Sequence, residues 1–268
     1  MLKRKLYRAL ALICFLFFAI VKIPSQDLRL NLVKDSSLIP ADTSVSVEAL
    51  SVSLPSITLN KKANVFVKKY LKEYDRTLIV AKQRSESVFG IMDSVFTRFD
   101  IPVQLKYMAV VESNLRSSAR SHVGAGGMWQ LMPFTAGIYG LKHSRKNDER
   151  FHVYKSTIAA ARYIKELYEE FGDWLLVVAA YNSGSARVHY AIRHSGSRDF
   201  WRLQNFLPLE TRNHVKRFIG VHYYFEGQGS MATMTKAETI LYKKTIAELI
   251  ANNSESKLAN KDVVIEPN

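Results

Sequence analysis

The sequence predicts an all-α protein, and three observations carry that expectation. Apolar residues beyond residue 60 recur at three- and four-residue spacings, the period of a helix with one buried face. The only alternating stretch, Ser44, Val45, Ser46 and Val47, is short and lies between Pro40 and Pro55, so a large β component is not expected. Finally, 47% apolar residues with 12 Gly and 7 Pro in 268 residues exclude collagenous, low-complexity and generally disordered chains. That length supports one large domain, or one domain and an appendage.

The first 26 residues carry Lys3, Arg4, Lys5, Arg8 and Lys22 and no acidic residue, and they enclose an uncharged apolar run from Ala9 to Val21. Such a run is short for a membrane span and fits the apolar core of an export signal. No small-x-small cleavage site follows, so residues 1–26 read as a signal peptide or an uncleaved signal anchor. Export to the cell envelope or periplasm is expected, with membrane association through this segment. Residues 27–59, rich in Ser, Thr and Val, read as an extended arm or linker. Lys61 to Tyr74 and Thr77 to Phe99 read as two packed helices, an N-terminal helical extension over 60–98. A larger domain over 99–230 follows. Residues 231–268 begin near a Gly-rich patch and read as a helix from Thr235 to Ala251 and a polar tail.

Within the large domain, Asp100 and Pro102 mark a helix start and Gln104 to Leu115 its body. Leu105, Met108, Glu112 and Leu115 fall on one face, which sets a carboxylate among apolar side chains near the helix C-terminus. Burial and the negative end of the helix dipole both disfavour a charged carboxylate there. General-acid cleavage of a glycosidic bond needs a carboxyl group that keeps its proton. From helical position alone the competing reading is a solvated salt bridge from Glu112 to Arg116. The apolar run from Trp174 to Tyr181 reads as a buried helix or a buried strand. Trp129 and Trp174 read as core residues, and Gly124, Gly126 and Gly127 as a turn that lets backbone approach a substrate.

Charge and cysteine content exclude several functions. Lys and Arg number 38 against 24 acidic residues, a formal charge of +14, and the excess remains at nine once the first 26 residues are removed. A basic surface favours polyanions: nucleic acid, anionic lipid or acidic wall polymers. A single Cys rules out an intrachain disulfide and a thiolate-rich metal site. The seven His contain no HExxH pattern, so neither a metal nor any other cofactor is expected.

Three groups of residues follow in order: Val111, Glu112 and Ser113, with Ser121 eight residues further on; Gly124 through Pro133, containing Trp129, Gln130 and Met132; and Ala180, Tyr181, Asn182, Ser183 and Gly184. Asp148 to Arg150, Phe171 to Trp174, Phe200 with Trp201, and Leu207 to Arg212 extend the pattern. Over residues 98 to 226 the chain resembles the lytic transglycosylases of the goose-type lysozyme superfamily. Its motif order is most similar to the membrane-bound lytic murein transglycosylase D group.

The resemblance implies a lysozyme-like helical domain that binds peptidoglycan glycan strands. Glu112 would be the catalytic acid and then base, with Ser113, Ser121, Gln130, Met132, Tyr181, Asn182 and Glu210 in contact with substrate. The β-1,4 bond between MurNAc and GlcNAc would be cut without water, giving a 1,6-anhydro-MurNAc end. Between Glu112 and Asp148 there is no acidic residue, so local sequence supplies one carboxylate where glycosidases ordinarily use two.

The chain also departs from that family. His214 stands where the family usually has Tyr, and His152 and Val153 replace the usual Asp and Pro. A lysozyme-like hydrolase and an inactive glycan-binding module are the alternatives. Nucleic-acid binding is disfavoured by the export segment and by the lack of a clustered recognition element.

Overall fold

The computed structural model describes residues 55–262, so the expectations for the export segment and for most of the arm lie outside the described residues. Among the described residues the structure is helical with no strand, as expected. Pairing is limited to isolated bridges: Arg120 with Gly126, Gly126 with Leu131, and His143 with Asp148. No described helix is long and apolar enough to cross a membrane.

The helices are α1 (Lys61–Glu73), α2 (Asp75–Ser85), α3 (Phe89–Arg98), α4 (Tyr107–Ser113), α5 (Pro133–Ile138), α6 (Val153–Phe171), α7 (Trp174–Ser183), α8 (Ser185–Ser195), α9 (Phe200–Leu203), α10 (Leu209–Glu226) and α11 (Lys236–Asp262). The single helix expected from Thr77 to Phe99 is broken between α2 and α3. There the Ser85 hydroxyl donates to Lys82 O at 2.6 Å and the Ser87 hydroxyl to Arg84 O at 2.9 Å, local bonds that compete with helix continuation. The body expected from Gln104 opens instead with a 3₁₀ turn, Val103–Lys106, before α4. Beyond Ala251 the expected polar tail continues the helix to Asp262, where Lys, Glu, Ala and Leu are all good helix formers.

α7 is the centre of the fold. Leu175 through Ala180 are all fully buried, and α7 packs against α6, α8 and α10, which settles the helix-or-strand question in favour of helix. α10 in turn packs against α1 and α4. Trp129 fills the adjoining core, its ring 5.6 Å from Phe96 and its indole N–H donating to Thr157 at 3.0 Å; Trp174 is half-buried and stacks on Tyr168.

Both ends of α7 are fixed by specific residues. Asp173 Oδ1 accepts from Leu175 N (2.9 Å) and Leu176 N (3.2 Å), while Oδ2 accepts from Lys236 N at 2.6 Å, so one buried carboxylate caps α7 and α11 together. At the other end Gly184, with φ 84° and ψ 150°, turns the chain into α8. That region of backbone space is essentially open only to glycine.

Two buried groups give the fold opposing responses to acid. Burial pushes the Asp173 carboxyl up to about 6, against 3.8 ordinarily, and pulls the His222 imidazole on α10 down to about 4, against 6.5. Below pH 6.5 the unfolded chain takes up a proton that folded His222 refuses, so stability is lost as pH falls towards 4. Below pH 6 folded Asp173 takes up a proton before the unfolded chain does, so stability is gained. Each effect is worth about 3 kcal/mol, and together they largely cancel. Asp173→Asn is therefore expected to lose about 2 kcal/mol more than the wild type between pH 6.5 and pH 4. Urea unfolding at both pH values checks this.

Candidate active site

Glu112 lies in the last turn of α4, which ends because Asn114 (φ 54°) and Leu115 (φ 59°) are both left-handed. Asn114 N bonds to Val110 O (2.8 Å), the 5→1 bond of an αL closure, Leu115 N reaches Ala109 O (3.4 Å), and the Leu115 side chain is buried beyond the helix end. Arg116 therefore lies past the helix end, and its Nε donates to Ser113 O at 3.2 Å. The salt bridge that helical spacing offered between Glu112 and Arg116 is not formed.

Glu112 instead faces α10. Its side chain is 15% exposed, and Oε1 lies 2.9 Å from Nε2 of His214, itself 4% exposed. One turn earlier on α10, the Thr211 hydroxyl donates to Asn182 Oδ1 at 2.9 Å. Tyr181, beside Asn182 at the end of α7, donates to Trp129 O at 2.8 Å. Burial, reinforced by the nearby Glu112 carboxylate, pushes the Tyr181 phenol well above its ordinary value, so it remains a donor. Three helices, α4, α7 and α10, thus bring Glu112, Tyr181, Asn182, Thr211 and His214 to one place.

The segment before α5 forms the adjoining wall. Gly126 and Leu131 exchange backbone hydrogen bonds at 3.0 and 3.1 Å. Arg150, 3% exposed, clasps this loop from behind: Nη1 donates to Gly124 O (2.7 Å) and Leu131 O (3.0 Å), while Nε and Nη2 hold Asp148 at 2.9 and 2.7 Å. The Arg150 guanidinium holds the Asp148 carboxyl below its ordinary range. At Gly127 a Cβ would meet Arg150 O at 1.9 Å. Gly126 and Gly127 thus lie close against the chain's own Glu149–Phe151 turn, whereas a Cβ at Gly124 would meet nothing within 4 Å. His152 in turn caps α6, its Nδ1 accepting from Lys155 N at 3.4 Å, which gives the departure at 152 a structural role.

The remaining candidates divide by what their polar atoms already do. The Ser113 hydroxyl is buried and donates to Met128 O at 2.8 Å, latching α4 to the loop. Ser121 Oγ accepts from Ala125 N at 2.9 Å and keeps its own proton to donate. Gln130, left-handed at φ 46°, donates through Nε2 to Gly127 O at 2.7 Å, which leaves its amide oxygen to present. Met132 is exposed at the start of α5, and Glu210 is exposed in the first turn of α10, one turn before His214. Sequence reasoning marked His214 only as a departure from the family pattern, without its contact to Glu112, and did not foresee the bond from Thr211 to Asn182 or the clasp made by Arg150.

Residues 98–204 match the family model of the transglycosylase SLT domain. The SLT match includes Glu112, Gln130, Tyr181 and Asn182 and stops short of His214. The chain is also similar to the membrane-bound lytic murein transglycosylase D of Escherichia coli, 38% identical over 158 residues, covering 57% of this chain and 34% of that protein. A second relative is the soluble lytic murein transglycosylase of Salmonella typhimurium, 29% identical over 146 residues, covering 50% of this chain and 22% of that protein. The chain thus spans a third or less of the length of these curated relatives. Among solved structures, a complex of the 70-kDa soluble lytic transglycosylase with bulgecin A superposes with a TM-score of 0.52 at 22% identity, covering 67% of this chain and 30% of that one. That likeness establishes the lysozyme-like helical fold.

Gly127→Ala should expose the tightness of this wall. The added methyl group collides with backbone and the residue's φ of 78° is unfavourable to any side chain, so a loss of about 3 kcal/mol is expected in urea unfolding.

Proposed function

We propose that the protein is a peptidoglycan lytic transglycosylase in which Glu112 is the general acid and then the general base. The observation that carries this reading is the placement of Glu112: a largely buried carboxylate, held by one hydrogen bond, between the helices that bear Tyr181, Asn182 and His214, inside a stretch that matches the SLT domain. The E. coli and Salmonella relatives are named as murein transglycosylases, in keeping with that substrate.

In the proposed reaction Glu112 gives its proton to the bridging oxygen as the C1–O4 bond breaks, and the acetamido oxygen of the MurNAc ring shares the positive charge at C1. The carboxylate then takes the proton from the C6 hydroxyl, whose oxygen bonds to C1. No water is consumed, and Glu112 ends protonated as it began. The first two acidic residues that follow Glu112 in the chain are both paired with cations: Asp148 is held by Arg150 at 2.7 Å and Glu149 by Lys155 at 2.6 Å.

Around the acid, Tyr181 and Met132 offer apolar surface to sugar rings, and the free groups of Ser121, Gln130 and Glu210 offer donors and acceptors to hydroxyl and acetamido groups. Ser113 and Asn182 support the cleft from within. The basic balance of the chain suits an acidic wall polymer. Export to the envelope, and attachment through the N-terminal apolar run, belong to the same proposal.

Glu112→Gln is expected to lower cleavage of purified sacculi by about 10²–10⁴-fold while the circular dichroism spectrum stays unchanged. Mass spectrometry of wild-type digests should find anhydro ends. Reducing ends would make the protein a lysozyme-like hydrolase, and binding without cleavage would make it a glycan-binding module.

A further inference from the structure

His214 occupies the position where the sequence departs from the family it resembles, and it makes the only hydrogen bond found on Glu112 among the described residues. We infer that His214 is the positioning residue for Glu112: a neutral imidazole with its proton on Nε2, which donates to Oε1 and so confines the acid proton to Oε2. This deepens the reading of Glu112 as the acid and rests on it.

The two ring nitrogens have very different surroundings. Nε2 lies 2.9 Å from Glu112 Oε1, whereas Nδ1 is buried with no hydrogen-bond partner among the described residues. A proton on Nδ1 would be a buried donor with nothing to receive it, a costly and rare situation; a bare lone pair there is better tolerated. Both the Nδ1–H tautomer and the imidazolium need that proton. The Nε2–H tautomer alone leaves Nδ1 without one, and it directs the ring's single donor at the carboxyl group.

That choice fixes the carboxyl group too. An N–H from His214 and an O–H on Oε1 cannot both occupy the space between the two atoms. With Nε2–H donating to Oε1, the acid proton belongs on Oε2, the oxygen left free for a glycosidic oxygen. Once the proton is given up, the same hydrogen bond becomes charge-assisted and stronger, so the carboxylate is held in place for its second task as base. Rigidity comes from α10, which packs against both α4 and α7 and is tied to α7 by the Thr211–Asn182 bond one turn away.

Two measurements test this. Long-range proton–nitrogen NMR of the imidazole side chains, with His214 assigned by its loss in His214→Phe, should show the Nε2–H tautomer in the wild type at neutral pH. An Nδ1–H tautomer or an imidazolium overturns the proposal. On sacculi, His214→Phe should lower kcat by about 10²-fold with KM within about twofold, while His214→Gln, whose amide N–H reaches the Nε2 position, should stay within about fivefold of wild type. Equal losses in Phe and Gln variants that both unfold at the wild-type midpoint also overturn it. A wild type that cleaves nothing refutes the reading of Glu112 as an acid, and the NMR result then stands or falls separately.

Discussion

The buried guanidinium of Arg150 is the constraint on which the site's architecture rests. A charge so thoroughly removed from water is tolerated only when its hydrogen-bonding capacity is used, and here Asp148 takes two of its N–H groups while the carbonyls of Gly124 and Leu131 receive the third nitrogen. These bonds tie a turn at residues 148–151 to a loop twenty residues earlier. The loop then supplies the carbonyls of Met128 and Trp129, on which Ser113 and Tyr181 anchor. Through those anchors a single ion pair sets the spacing between α4, which bears Glu112, and α7, which bears Tyr181 and Asn182.

The helices contribute a different kind of order. α7 is apolar on every side and so must be enclosed, and enclosing it with α6, α8 and α10 leaves its C-terminal end as the place where polar side chains first emerge. Tyr181, Asn182 and the nearby Glu112 sit at that boundary. They are half-buried, sheltered enough for directed hydrogen bonds to hold. The acidic capping of α7 and α11 by Asp173 shows the same economy, with one side chain serving two helix ends.

Much of this was legible in the sequence. Helical periodicity marked α1 to α4 and α11, while α5, α6, α8, α9 and α10 were not read from it. The apolar-face position of Glu112 drew notice, and the motifs around it singled it out. What local pattern could not supply were contacts made across long stretches of chain. The Glu112–His214 bond joins residues 102 positions apart, and the bond from the Ser113 hydroxyl to Met128 O spans fifteen. The helix break at 86–88 depended on serine hydroxyls choosing nearby carbonyls, which composition does not reveal. That Gly126 and Gly127 pack against the turn at 149–151 was not legible, because that turn lies more than twenty residues downstream.

The corner at Gly184 carries a consequence for how this cleft can change. Open space surrounds the position, so crowding is no obstacle there. The restriction is one of handedness: any L-amino acid is refused by its own main chain. Residues around this corner can be exchanged one at a time, yet the pivot between α7 and α8 is held by stereochemistry alone, and no neighbouring adjustment can release it.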